Sequence, residues 1–180
     1  MRGGAPRAVW FIWPADPQGV SARSVAQRLV QVGRPAHLVW NPVSGHIVQS
    51  LPPTLAACGL PGELNGHGRV CVQIHVLGSV RTPFTDGKMD GLDEILGWLD
   101  AWNVPRRWPA GPPLPYPESM ATERSGRLWA AGGHFGHSQV PGTSGGDPGA
   151  IDIERIAEYG PPGAQVPRPR EEMRVRLSAG

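Results

Sequence analysis

The feature that most constrains the fold is a nearly unbroken apolar run from Val70 to Leu77, with glycines close to both ends. A strand that is buried on both faces has this pattern, so we expect it at the centre of a sheet. Ala8 to Trp13 is a second apolar strand, closed by Pro14. His37–Trp40 and His46–Gln49 are predicted to form a hairpin joined by a short polar turn.

Three helices are predicted around these strands. Ser21 is the expected N-cap of the first helix, and Val25 and Leu29 recur at helical spacing behind it. The second helix has an apolar face and an acidic first turn, and the third is expected to start near Pro148. Between them, we expect Leu128 to Phe135 to be extended. The apolar face of the second helix consists of Leu92, Ile95, Leu96 and Leu99.

A chain of 180 residues is long enough for one domain with a real core. Strands alternating with helices predict a single α/β domain, with a central mixed β-sheet flanked by helices, over residues 1–160. Residues 161–180 form a proline- and arginine-rich tail. The net charge of +2 gives no reason to expect a nucleic-acid partner. No apolar run approaches the ~20 residues of a membrane span, and no signal peptide is evident, so we expect synthesis in the cytoplasm.

One short segment contains side chains suited to chemistry. His137 follows a predicted strand, and Asp147 comes ten residues later in the sequence Gly146-Asp147-Pro148-Gly149. Imidazole and carboxylate are standard zinc ligands, and these two side chains can converge on one point. Two residues alone also fit a second interpretation, in which His137 is a buried histidine and Asp147 is merely a helix cap.

The stretch GHSQVPGTSGGDPGAIDIERI, which contains both residues, resembles the last zinc-binding segment of the N-acetylmuramoyl-L-alanine amidase type 2 family. That family shares its fold with peptidoglycan recognition proteins, and the nearest resemblance is to amidase domains of endolysins from phages of actinobacteria. Further segments agree with the family in the same order along the chain. They are GGAPRAVW from Gly3, SARSVA from Ser21, HLVWNP from His37, PFTDG from Pro83 and WPAGPP from Trp108.

The resemblance implies a cell-wall partner, the peptidoglycan or its muropeptides, reached after phage lysis or on a phage particle. It also implies hydrolysis of the amide between N-acetylmuramic acid and L-alanine by a bound zinc ion. In the family, two histidines and an aspartate or cysteine hold the zinc, which activates a water and polarises the carbonyl. A glutamate on the central strand assists the water, and a basic residue stabilises the oxyanion.

Three positions of this chain depart from the family pattern. Phe11 stands where the first zinc ligand is expected, His75 where the glutamate is expected, and Gly145 where the basic residue is expected. Only His137 and Asp147 match the catalytic set. The direct interpretation is an amidase-like domain that is impaired or inactive, because two protein ligands hold zinc poorly.

A sharper alternative keeps a metal. His75, His137 and Asp147 together offer two imidazoles and one carboxylate, so they are the candidate catalytic and metal-binding residues of a shifted site. Three functions therefore stay open: an amidase, a module that binds muropeptide without cutting it, and a structural protein of a phage or another assembly. The oligomeric state is not predicted.

Aromatic and amide side chains near the site are candidates for the substrate-binding wall, because sugars and peptides stack on aromatic faces. We expect Trp13, Asn65 and Trp129 in this role, together with the proline-rich loop from Pro105 to Pro117. His134, three residues before His137, is a further candidate for the groove, whereas His37 is expected to be structural.

Overall fold

The computed structural model describes residues 5–65 and 71–159. Val70 and the tail from residue 160 onward therefore lie outside the described residues. In chain order the helices and strands are β1 Arg7–Pro14, α1 Ala22–Gln31, β2 Leu38–Trp40, β3 Ile47–Gln49, α2 Gly62–Asn65, β4 Cys71–Gly78, α3 Leu92–Ala101, β5 Arg107–Trp108, α4 Gly126–Ala131, β6 Gly133–Gly136 and β7 Glu158–Tyr159.

The predicted α/β class is confirmed: a single domain is built on one mixed five-stranded sheet with the order β3-β2-β4-β1-β6. β4 is the central strand, as its apolar sequence predicts. β1 runs parallel to both β4 and β6, and β2 runs parallel to β4 but antiparallel to β3. β5 and β7 form a separate two-stranded parallel sheet.

Alternation along β1 divides the core between the two faces of the sheet. Trp10 and Ile12 point into a core that includes the apolar face of α3. Phe11 points to the opposite face, where Trp129 of α4 and Phe135 of β6 pack around it. α1 packs on the same face of the sheet as Phe11, where it covers Val39 of β2 and Leu77 of β4. Successive strand residues therefore serve two separate environments, and only the Phe11 face carries the candidate site.

The boundaries of the first two helices follow the predicted signals. The hydroxyl oxygen of Ser21 accepts a hydrogen bond from the backbone N–H of Ser24 at 3.1 Å, which caps α1. Gly33 has a φ of +70° just after the helix, a conformation that ends it at low cost. Asp93 and Glu94 occupy the first turn of α3, as expected.

One predicted element is partly wrong and another is wrong. The first part of the segment expected to be extended, Leu128 to Phe135, belongs to α4, because Ser125 caps this helix and Trp129 is buried in the core. Its last three residues are extended as predicted, since they belong to β6. No helix starts at Pro148: Gly149 has a φ of +75°, and only a short 3₁₀ turn forms, at Ile153–Arg155. The core still contains the apolar residues of the predicted helix, Ile151, Ile153 and Ile156. The backbone that carries them is irregular apart from the 3₁₀ turn.

Within residues 5–65 and 71–159, no helix has the length and apolar character of a membrane-spanning segment.

Candidate functional site

Three neighbouring strands bring the central side chains of the site together. Phe11 in β1 is directly paired with His75 in β4. Trp10 is paired with Gly136, the last residue of β6, so His137 follows at the position beside Phe11. The strand order β4-β1-β6 therefore places the phenylalanine between the two histidines.

The phenyl ring of Phe11 fills the space between the two imidazoles. Its centroid lies 4.8 Å from that of His75, with the rings only 4° from parallel. On the other side it lies 4.5 Å from the centroid of His137, at an interplanar angle of 37°. β4 and β6 are two strand spacings apart, ~9.5 Å, so the two histidines meet the phenyl ring rather than each other.

His137 and Asp147 do converge, as the sequence predicts. His137 Nδ1 and Asp147 Oδ1 are 2.7 Å apart, a hydrogen-bond or ion-pair distance. The second carboxylate oxygen, Oδ2, accepts a hydrogen bond from the backbone N–H of Ile12 at 3.0 Å. The backbone N–H of Ser138 also donates to the Asp147 carbonyl at 2.7 Å. Both carboxylate oxygens are thus engaged, and Asp147 links the segment after β6 to β1.

The imidazole of His137 is packed against the backbone of Gly145. A Cβ at position 145 would overlap Cε1 and Nδ1 of His137, and it would lie 3.0 Å from Asp147 Oδ1. The guanidinium of Arg124 donates to the Gly145 carbonyl at 3.3 Å and to the Thr122 carbonyl at 3.2 Å, which helps to hold this loop. Position 145 therefore has no room for the basic residue of the family pattern while His137 keeps this position.

The residues present do not fit a zinc centre. Zinc needs its ligand nitrogens within ~2.1 Å, and the third ligand position between the histidines is filled by the carbon ring of Phe11. His137 Nδ1 and Asp147 Oδ1 contact each other directly. Within residues 5–65 and 71–159, no three His, Cys, Asp or Glu side chains are grouped so as to hold a metal ion. The geometry favours neither the family zinc site nor the shifted site with His75.

His75 is partly buried beside Phe11, and Trp13 is its next aromatic neighbour at 6.4 Å between centroids. Its Nδ1 atom is buried and has no hydrogen-bond partner among the described residues. Burial lowers the pKa of His75 to about 4. The negative charge of Asp147 partly offsets this effect by raising the pKa, whereas His137 and Arg34 lower it further. The imidazole is therefore neutral at pH 7.

A cavity of about 340 Å³ opens beside these side chains. Trp13 and His75 line it with His137 and Asp147, whereas the predicted substrate-binding role of Trp13 stays a prediction. Arg34, immediately after α1, also reaches the cavity. The remaining lining residues are Phe11, Ile12, Pro14, Leu29, Val32 and Gly59.

Other proposed wall residues lie elsewhere. The Trp129 ring is 3% exposed in the core, beneath the guanidinium of Arg7 at 4.5 Å. The side chain of Asn65 is outside the described residues. His134 is fully buried on the opposite face of the sheet, where its Nδ1 accepts a hydrogen bond from Trp10 Nε1 at 3.1 Å. Residues of the Pro105 to Pro117 loop are absent from the lining of this cavity.

Sequence reasoning missed two supporting residues. Gln73, two residues before His75 on the same face of β4, accepts a hydrogen bond from the Gly59 N–H at 2.7 Å. This bond holds Gly59 against the tip of the Phe11 ring. The other is Arg34, whose only sequence signal was its place in the Gly33-Arg34-Pro35 helix stop. A buried polar residue in an apolar strand is the signal by which Gln73 can be found.

A larger cavity of about 760 Å³ adjoins the site and shares Pro14 with it. It lies at the carboxyl ends of β1 and β4 and beside the turn that follows β2. Ligands of open α/β sheets commonly bind at this edge. Its walls are mostly apolar, with charged side chains from Asp16, Asp86 and Lys88.

Comparison of the chain with protein-family models, curated proteins and solved structures gave no match. Functional inference therefore depends on the sequence segments and on the geometry of the site.

Proposed function

We propose that this chain is an amidase-like domain that binds peptidoglycan fragments without hydrolysing them by the zinc mechanism. The ordered segments that resemble the amidase type 2 family support the fold and the ligand class. The observation that carries the loss of hydrolysis is the Phe11 ring between His75 and His137, in the place where the family has a zinc ligand.

The other two departures agree with this interpretation. A general base works best when its pKa is close to the working pH, and burial holds the pKa of His75 at about 4. At position 145 a side chain that could stabilise an oxyanion is excluded by the His137 ring. His137 and Asp147 retain their contact, but their role in this proposal is to shape the wall of the cavity.

The two adjoining cavities support a binding role. Together they extend from the His137–Asp147 pair past Pro14 to the carboxyl edge of the sheet. The surface is mostly apolar and carries a partly exposed tryptophan, Trp13, and a few charges. Pockets that bind sugars and peptides combine these features.

Sedimentation with insoluble actinobacterial peptidoglycan tests the proposal, together with a turbidity assay on the same cell walls. We expect the protein to sediment with peptidoglycan and the turbidity to stay constant. Trp13→Ala is expected to weaken sedimentation several-fold, whereas Trp102→Ala, on the far side of the sheet after α3, is the matched control. A fall in turbidity would show an active hydrolase, and failure to sediment would favour a structural role.

A further inference from the structure

The small cavity beside the site has a positively charged residue, Arg34, in its lining. Arg34 is exposed after the turn that follows α1, it lines the cavity with His75 and Trp13, and its positive charge lowers the pKa of His75. No hydrogen bond or ion pair of the Arg34 guanidinium is found within residues 5–65 and 71–159. An exposed arginine that lines a cavity and has no carboxylate partner among these residues is available to a ligand.

The carboxylate of this cavity is already engaged by other partners. Asp147 directs one carboxylate oxygen to His137 and the other to the backbone N–H of Ile12. His75 is neutral at pH 7, because its pKa is lowered to about 4. Among the described residues that line this cavity, Arg34 therefore has charged donors that are not engaged, and the ligand group that matches a guanidinium is an anion.

The remaining walls restrict the kind of anion. Leu29 and Val32 of the α1 end, with Trp13 and Pro14 of the β1 end, give the cavity an apolar lining. A volume of about 340 Å³ is at the lower end for ligand pockets and is sufficient for one or two amino-acid residues. A planar carboxylate on a small aliphatic residue suits both the bidentate guanidinium and the apolar walls.

We propose that Arg34 forms a carboxylate-binding subsite, and that this cavity takes the free carboxylate of the peptide part of a muropeptide. The inference rests on the proposed function, and it adds a preference: fragments with a free carboxylate bind more tightly than the same fragments as carboxamides. Arg34 acts here in recognition and has no part in bond cleavage.

Calorimetric titration with two matched probes tests the subsite: N-acetylmuramoyl-L-alanine and its carboxamide. We expect the carboxylate to bind the native protein at least about tenfold more tightly than the carboxamide, because the bond to Arg34 is charge-assisted. Arg34→Gln should remove this preference and leave carboxamide binding unchanged. Arg34→Lys should retain part of it, since lysine keeps the charge but not the planar pair of donors.

Arg23→Gln is the control, because Arg23 is an exposed arginine of α1 that lines a different cavity. Its carboxylate preference should equal that of the native protein. Equal binding of the two probes, or an unchanged preference in Arg34→Gln, would overturn the subsite and leave muropeptide binding intact. Failure of the native protein to bind either probe would overturn the proposed function as well. Thermal unfolding of each variant verifies that the fold is retained.

Discussion

Phe11 and His75 stack face to face on neighbouring parallel strands, 4.8 Å apart and 4° from parallel. Direct strand pairing imposes this contact, because the two residues are register partners on the same face of the sheet. The identity of residue 11 therefore decides what stands between His75 and His137. With phenylalanine, the site is a packed aromatic layer.

Replacing Phe11 with histidine should create metal affinity. The new imidazole would stand between two existing ones and next to Asp147, which gives nitrogen and oxygen donors of the type that zinc and cobalt bind. Cobalt titration monitored by visible absorption should show stoichiometric binding by Phe11→His and less than ~0.1 metal per chain for the native protein. Phe11→Leu is the matched control and should stay colourless. Strong binding by the native protein would refute the absence of a metal site.

Gly145→Ala should destabilise the fold, because its Cβ would overlap the ring of His137. Overpacking of this kind costs about 1–3 kcal/mol in the free energy of unfolding. The cost should largely disappear in a His137→Ala background, where the ring is gone. Urea denaturation of the four proteins in this double-mutant cycle measures the coupling. Additive effects would show that the two residues are not in the contact described.

Asp147→Ala should lower the free energy of unfolding by about 1–3 kcal/mol, since it leaves the backbone N–H of Ile12 without an acceptor. Asp147→Asn keeps an oxygen for that N–H and should cost clearly less. Chemical denaturation of both variants distinguishes the backbone bond from the contact with His137. Equal losses would assign the stabilisation to the charge on Asp147 instead.

His134 should make stability depend on pH. Burial lowers its pKa to about 3, against an ordinary value of 6.5, so the unfolded chain binds a proton that the folded chain excludes. This contribution is complete above pH 6.5 and is lost as the pH falls toward 3. At pH 5 the loss is roughly 2 kcal/mol.

Unfolding free energies at pH 7.5 and pH 5 test this contribution. His134→Gln keeps an acceptor for Trp10 Nε1 and should reduce the difference between the two pH values by that amount. His46→Gln is the control, because His46 is exposed in the hairpin turn. An undiminished difference in His134→Gln would contradict the assignment.

The regular elements of the fold were predictable because local signals and burial agree there. The run ending at Leu77 is the central strand, and Ser21 caps the first helix. Around residues 128 and 148 the apolar spacing was ambiguous, and capping by Ser125 and the left-handed Gly149 decided the outcome. Such choices depend on single backbone positions rather than on periodicity.

The site was predictable only in part. The ten-residue spacing of His137 and Asp147 allowed their contact, and the resemblance of the surrounding segment to the amidase type 2 family favoured it over a separate buried histidine and helix cap. The stacking of Phe11 required the strand order, and the approach of Arg34 required the packing of α1 on the sheet. Both contacts join segments that are far apart in the sequence, so a local sequence motif does not predict them.

The close packing of His137 on Gly145 has a consequence for the history of the site. Residues 11, 137 and 145 are joined through contacts on the His137 ring, so their identities are mutually dependent. Introducing a side chain at position 145 alone would strain the loop before any benefit appeared. Substituting residues 11, 137 and 145 one at a time would therefore pass through less stable forms, which makes the present arrangement hard to change by single steps.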